Sequence, residues 1–220
     1  MKSYAHALRS SLPVLALAVL LPALAGCPGV IEFKGNGGPV APDKSTVAPI
    51  LFESFEKGVT GTYTYGPTGA GAKCVVSVDD SVAHSGSKSM RVDYETGTGT
   101  YGPGFGFGSD FLPGEGFFDA TGTLALQMWL KAPRGLIFQV CLKEGTVNGA
   151  DGEFYLAPQD TGTGSWHRYS FPYSQFTRSI YSGNQAGDDT FEVSCIVGMQ
   201  IQLNQNAGDG TLWIDDIYFR

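Results

Sequence analysis

From Ile50 to Arg220 the chain never sustains a 3.6-residue apolar period. Its apolar residues fall in short runs that alternate with polar ones, and glycine, serine or asparagine turns separate the runs about every ten residues. A side chain in a strand faces one way and its neighbour the other, so such runs make half-buried strands and not helices. The spacing predicts strands at 50–55, 74–78, 89–94, 101–107, 123–130, 136–142, 154–156, 166–171, 191–195, 196–203 and 211–219. About ten short strands without an internal repeat predict an all-β fold, a β-sandwich of the jelly-roll type. Trp129, Trp166 and Trp213 fall within these patterns and read mostly as core residues.

The first 49 residues are of another kind. Lys2 and Arg9 precede a nearly unbroken run of Leu, Ala and Val from Leu12 to Ala23, and small residues follow. This is the three-part layout of an export signal. The run is short for a membrane-spanning helix and holds Pro13 and Pro22. Leu24-Ala25-Gly26-Cys27 resembles the lipobox of bacterial lipoproteins. That resemblance implies removal of residues 1–26 and lipidation of Cys27, giving an anchor in the cell envelope, at an outer membrane or the cell surface. Acyl chains contribute roughly 0.8 kcal/mol per buried methylene, so several chains on one cysteine anchor stably. Residues 27–49, broken by Pro28-Gly29, Gly35 through Pro39 and Pro42, read as a linker, and 50–220 as the domain.

The net charge is −7, and the part after the signal is more acidic still because Lys2 and Arg9 leave. An acidic surface makes nucleic acid a poor partner, and contact with a membrane is expected through the lipid alone. Cys74, Cys141 and Cys195 remain beside Cys27. Export permits one disulfide among the three, and the sequence favours no pairing.

Five stretches lie along the domain in a telling order: Phe52-Glu53-Ser54-Phe55-Glu56; His84 through Val92; Val147-Asn148-Gly149-Ala150-Asp151-Gly152-Glu153-Phe154; Trp166 through Phe176, with Pro172-Tyr173-Ser174-Gln175-Phe176 at its end; and Trp213-Ile214-Asp215-Asp216-Ile217. Together they resemble the family 11 carbohydrate-binding modules over almost all of 50–220. The resemblance implies a jelly roll whose concave sheet binds one β-glucan chain, structural calcium, and work beside glycoside hydrolases.

A glucan chain has apolar C–H faces and a rim of hydroxyls. Its cleft therefore needs flat aromatic rings, which add area at little entropic cost, and polar or charged groups at the edge. By local alignment Tyr65, Tyr101, Asp151, Arg178 and Tyr181 resemble the family's ligand contacts. Thr177 through Tyr181 lacks several basic residues and an Asp that the family has there, and Leu203 stands where the family has tyrosine. Gln200 and Gln202 share one strand face and offer amides. Glu53, in the first strand, and Asp215, in the last, resemble the calcium ligands. Asp216 would then face the other way, to solvent.

Enzymatic readings find less support. Asp151 and Glu153 are the one tempting carboxylate pair for glycoside hydrolysis, two positions apart in one loop. No Ser/His/Asp order, zinc spacing or phosphate loop is present. His84 and His167 have no motif around them. The expected protein is a non-catalytic binder of β-glucan polysaccharide or oligosaccharide. The alternatives are a structural or adhesion lipoprotein without a glycan ligand, and an accessory of a glycan-active enzyme.

Overall fold

The computed structural model describes residues 47–66, 71–99, 101–108, 117–145, 152–205 and 208–220. The signal, Cys27 and the linker up to residue 46 lie outside the described residues, as does Asp151. No helix among the described residues is long and apolar enough to cross a membrane.

Among the described residues thirteen strands form two antiparallel sheets. They are β1 (Ile50–Glu53), β2 (Thr62–Tyr65), β3 (Lys73–Asp79), β4 (Ser89–Glu95), β5 (Gly104–Gly108), β6 (Ala125–Lys131), β7 (Ile137–Glu144), β8 (Glu153–Leu156), β9 (Asp160–Thr161), β10 (Trp166–Pro172), β11 (Thr177–Gly183), β12 (Ile196–Leu203) and β13 (Asp209–Phe219). The first sheet runs β10-β6-β13-β4-β3, with β1 also on β13; the second runs β11-β8-β7-β12-β5-β2, with β9 on β7. The chain is an all-β sandwich of the jelly-roll class. Strands β2, β9 and β11 were not anticipated, and Val193–Cys195 is a 3₁₀ turn where a strand was expected at 191–195.

Alternation builds the core. Met90, Val92, Leu126, Met128, Leu130, Leu212 and Ile214 of the first sheet meet Phe105, Phe138, Val140, Leu142, Met199, Ile201 and Leu203 of the second, all essentially sealed from water. Each such side chain contributes roughly 1.5–3 kcal/mol by leaving water. The tryptophans do not share this core. Trp129 alternates with Met128 and Leu130, and Trp213 with Leu212 and Ile214, so parity turns them outward. Trp166 lies opposite Lys131 on the same outer face.

Two irregularities re-aim side chains. In β13 the pairing with β6 slips between Asp215 and Tyr218, and Asp216 has φ +47°. This bulge keeps Ile217 and Phe219 in the core and buries Asp215 and Asp216 together. Asp216 is thus not solvent-facing; its Oδ2 lies 2.8 Å from His84 Nδ1. In β11 the register jumps between Arg178 and Gly183 while β8 advances only from Tyr155 to Glu153. The surplus residues loop out, leaving Ile180 73% and Tyr181 88% exposed. The amides of Tyr181 and Ser182 donate to Ser179 Oγ and close the bulge.

Candidate functional site

The site begins with Gly104-Phe105-Gly106-Phe107-Gly108 in β5. Alternation sends both phenylalanines inward, so the outer face of this strand is a strip of glycine. The neighbouring strand β2 reads Thr-Tyr-Thr-Tyr and lays two rings on that strip. A Cβ at Gly104 would stand 2.2 Å from Tyr65 Cζ, and one at Gly106 would stand 2.5 Å from Tyr63 Cζ. Only glycine admits rings this close to the backbone. The rings lie 6.2 Å apart at 26°, forming a two-ring floor.

Strand β12 comes next. It places Gln200 beside Gly106 and Gln202 beside Gly104. Tyr63 Oη donates to Gln200 Oε1 at 2.8 Å. The Gln202 amide makes no hydrogen bond among the described residues. Strand β7 continues the rows with Cys141 and Gln139. Gln139 Nε2 donates to the Ala157 carbonyl at 2.8 Å, and burial pushes the Cys141 thiol up to about 12. Lys143 Nζ sits 5.0 Å from the Phe154 ring and 5.9 Å from the Tyr63 ring. This face therefore offers stacking surface, amides and one cation within a few strand spacings.

The Tyr65 hydroxyl is buried and has no partner among the described residues. Burial, with smaller contributions from Tyr63 and other neighbours including Tyr101, pushes its pKa strongly upward. An unpartnered buried hydroxyl costs about 1–3 kcal/mol, so this atom gains from any ligand or water that reaches it.

Of the residues expected from sequence, Tyr65, Tyr101, Gln200 and Gln202 fall in this region. Tyr101 is 45% exposed in the turn before β5. Tyr181 sits on β11, at the opposite edge, five strand spacings from β2, or about 24 Å. Arg178 lies opposite Tyr155, on the inner side of the edge formed by β8 and β11. Its Nε is 2.7 Å from Glu153 Oε1, an ion pair without hydrogen-bond alignment, and its Nη1 donates to Asp189. Nη2 donates to the Asn184 carbonyl at 2.5 Å. Tyr63 was not anticipated, although Thr62–Tyr65 alternates so that it must share a face with Tyr65.

The same edge holds Glu144 and Glu153. Burial pushes Glu144 up to about 7, against the Glu192 amide that donates to it and with help from the charge of Glu153. Glu153 is buried and also accepts from Tyr155 Oη at 3.2 Å. It is committed to its neighbours and not turned toward a cleft.

Glu53 and Asp215 bear on calcium. Glu53 Oε1 accepts the amides of Ser54 (2.8 Å) and Phe55 (2.7 Å). Asp215 Oδ2 accepts those of His84 (2.8 Å) and Ser85 (3.1 Å), and Oδ1 that of Asp216 (2.8 Å). Among the described residues no three His, Cys, Asp or Glu side chains gather as a metal group. Calcium takes six to eight oxygens, so main-chain carbonyls and water would have to join Glu53 and Asp215 in holding it. Cys74, Cys141 and Cys195 are free thiols.

The chain matches no family model and no curated protein. Solved structures do resemble it. A family 11 carbohydrate-binding module of a cellulosomal cellulase of Clostridium thermocellum superposes with a TM-score of 0.61 at 22% identity, covering 80% of this chain and 95% of its own. A family 11 module from the same organism, in complex with a β-1,3-1,4-mixed-linked tetrasaccharide, gives 0.62 at 22%, over 80% and 96%. A family 30 module of a C. thermocellum cellulosomal cellulase gives 0.55 at 15%, over 79% and 98%. These likenesses show a fold shared with carbohydrate-binding modules.

Proposed function

We propose that this chain is a non-catalytic glycan-binding protein that holds a β-glucan chain on the outer face of its second sheet. The observation that carries this reading is the pair of rings, Tyr63 and Tyr65, held over Gly106 and Gly104 beside Gln200 and Gln202. Rings in that posture present broad faces to the apolar side of a sugar, and the amides meet its hydroxyls. A family 11 module from C. thermocellum with a similar fold forms a complex with a β-1,3-1,4-mixed-linked tetrasaccharide. Tyr101 and the unpartnered Tyr65 hydroxyl extend the contact. Arg178 plays a structural part in this reading. An open face of this kind gives modest affinity, on the order of 10 μM to 1 mM, or roughly 4–7 kcal/mol.

The test is retardation of the chain in native gels holding barley β-glucan, xyloglucan or hydroxyethylcellulose. Retardation in at least one gel, lost in Tyr65→Ala, supports the reading. A folded protein that runs unretarded in all three removes it. The lipidated Cys27 and its place in the envelope belong to the same proposal. Cys27→Ala should abolish incorporation of labelled palmitate and release the protein from membranes.

A further inference from the structure

The outer face of the first sheet carries a second array of rings and cations. Across one row stand Trp166 of β10, Lys131 of β6, Trp213 of β13 and Arg91 of β4, each beside the next. In the adjoining row Arg168 of β10 stands beside Trp129 of β6. Trp166 and Trp213 are two strands apart, about 10 Å. All three tryptophans are half-buried and Arg168 is exposed. Trp129 is covered on one side by His84, 3.7 Å between centroids at 16°, and Trp166 meets the same ring edge-on at 5.8 Å. Trp213 is fixed by its Nε1, which donates to Asp79 at 2.8 Å, with Lys131 Nζ 4.9 Å from its ring.

The charges on this face are divided in their commitments. Arg91 is held by Asp93, its Nη2 donating at 2.9 Å. Lys131 and Arg168 have no carboxylate partner among the described residues, and Lys131 lies between two indoles. The acids of this face are already engaged, Asp79 by the Trp213 indole and Ser81 and Asp93 by Arg91 and Thr211, so Lys131 and Arg168 are left to meet an outside carboxylate. A core-building role does not require them, because alternation turns this face away from the core.

We propose that this face is a second glycan site, and that its ligand is a carboxylate-bearing polysaccharide built of uronic acids. Trp166 is the stacking platform, and Lys131 and Arg168 take the carboxylates. Half-exposed indoles suit a sugar ring, and charge complementarity selects an acidic sugar over a neutral one. The ion pairs sit at the surface, so their strength must fall with salt.

The chain's three tryptophans all stand on this face, so their fluorescence reports on it and not on the tyrosine floor. The experiment titrates the full chain with trigalacturonate and, separately, with a neutral mixed-linked tetrasaccharide. Trigalacturonate should change tryptophan emission saturably, with affinity falling at least tenfold between low and high salt. The neutral sugar should leave the emission unchanged whether or not it binds elsewhere, which separates this proposal from the β-glucan reading. Lys131→Gln with Arg168→Gln should weaken trigalacturonate at least tenfold. Arg168→Gln alone, at an exposed position, should weaken it severalfold and serves if the double variant fails to fold. No saturable change with trigalacturonate, parental binding by the folded variants, or an equal response to the neutral sugar each overturns the proposal.

Discussion

Tyr63 and Gln200 stand on strands that are not neighbours, yet the tyrosine hydroxyl donates to the glutamine carbonyl at 2.8 Å across β5. The reach exists because β5 carries glycine at that row. A methyl group at Gly106 would meet the Tyr63 ring at 2.5 Å and force it off the sheet. Gly106→Ala should therefore weaken β-glucan binding at least tenfold, read as reduced gel retardation, without touching any sugar-facing polar group. Undiminished retardation would show that the flat posture of the ring is unimportant.

Removing the ring should cost more than removing its hydroxyl. Tyr63→Ala deletes the stacking surface and should weaken retardation tenfold or more. Tyr63→Phe keeps the surface and loses the bond to Gln200, and should weaken it two- to fivefold. Equal effects from both would place the recognition in the hydroxyl.

Glu144 should make the protein less stable as pH rises. Burial pushes its carboxyl up to about 7, above its ordinary value of 4.5. Between those two values the folded state holds a proton that the unfolded state has released. Stability is therefore fully present below about 4.5 and is lost as pH rises through 7, at up to about 1.4 kcal/mol per pH unit. Melting curves from pH 4.5 to 8 should show the decline. Glu144→Gln should flatten it.

Asp79 should act in the opposite direction. The Ser81 hydroxyl, then the Trp213 indole N–H, together with the amides of Ser81 and Val82, hold its carboxyl well below the usual range. Folding favours its charged form, so its contribution is present above the ordinary carboxylate value and is lost on acidification below it. Asp79→Ala should cost about 2 kcal/mol, in the range of hydrogen bonds to a charged group. It should also shift tryptophan emission by releasing Trp213.

Asp215 should stabilise the fold through its main-chain donors. Three main-chain amides donate to its fully buried carboxylate. Asp215→Ala strands those donors and should cost about 2–3 kcal/mol. A ligand that binds only the folded state raises its melting temperature, so a melting temperature indifferent to chelator and to added calcium would remove Glu53 and Asp215 as calcium ligands. A clear rise with calcium would support them as ligands.

Much of the sandwich was legible because alternation is local. Ala125–Lys131 and Ser89–Glu95 state their inward and outward faces residue by residue. That rule, followed strictly, also puts Trp129 outside with Gln127 and Lys131; large apolar rings were read as core only by setting parity aside. Tyr63 was legible in the same way, two positions from Tyr65. Strand β11 was not, because it breaks its own alternation: the bulge after Arg178 extrudes Ile180 and Tyr181 and hides the strand's period. The same bulge separates Arg178, drawn inward to Glu153, from Tyr181, left in solvent.

The order of apolar and polar residues determined that the chain folds as strands, which side chains fill the sandwich, and which face outward within each strand. Sequence alone did not determine which outward residues become neighbours. Gly106 lies over forty residues after Tyr63 and over ninety before Gln200, and only pairing through β5 sets the three in one row. Tertiary structure also decided the fate of Asp215, Asp216 and Arg178. A bulge changes which way a side chain points, and it forms only where a partner strand supplies the register to slip against.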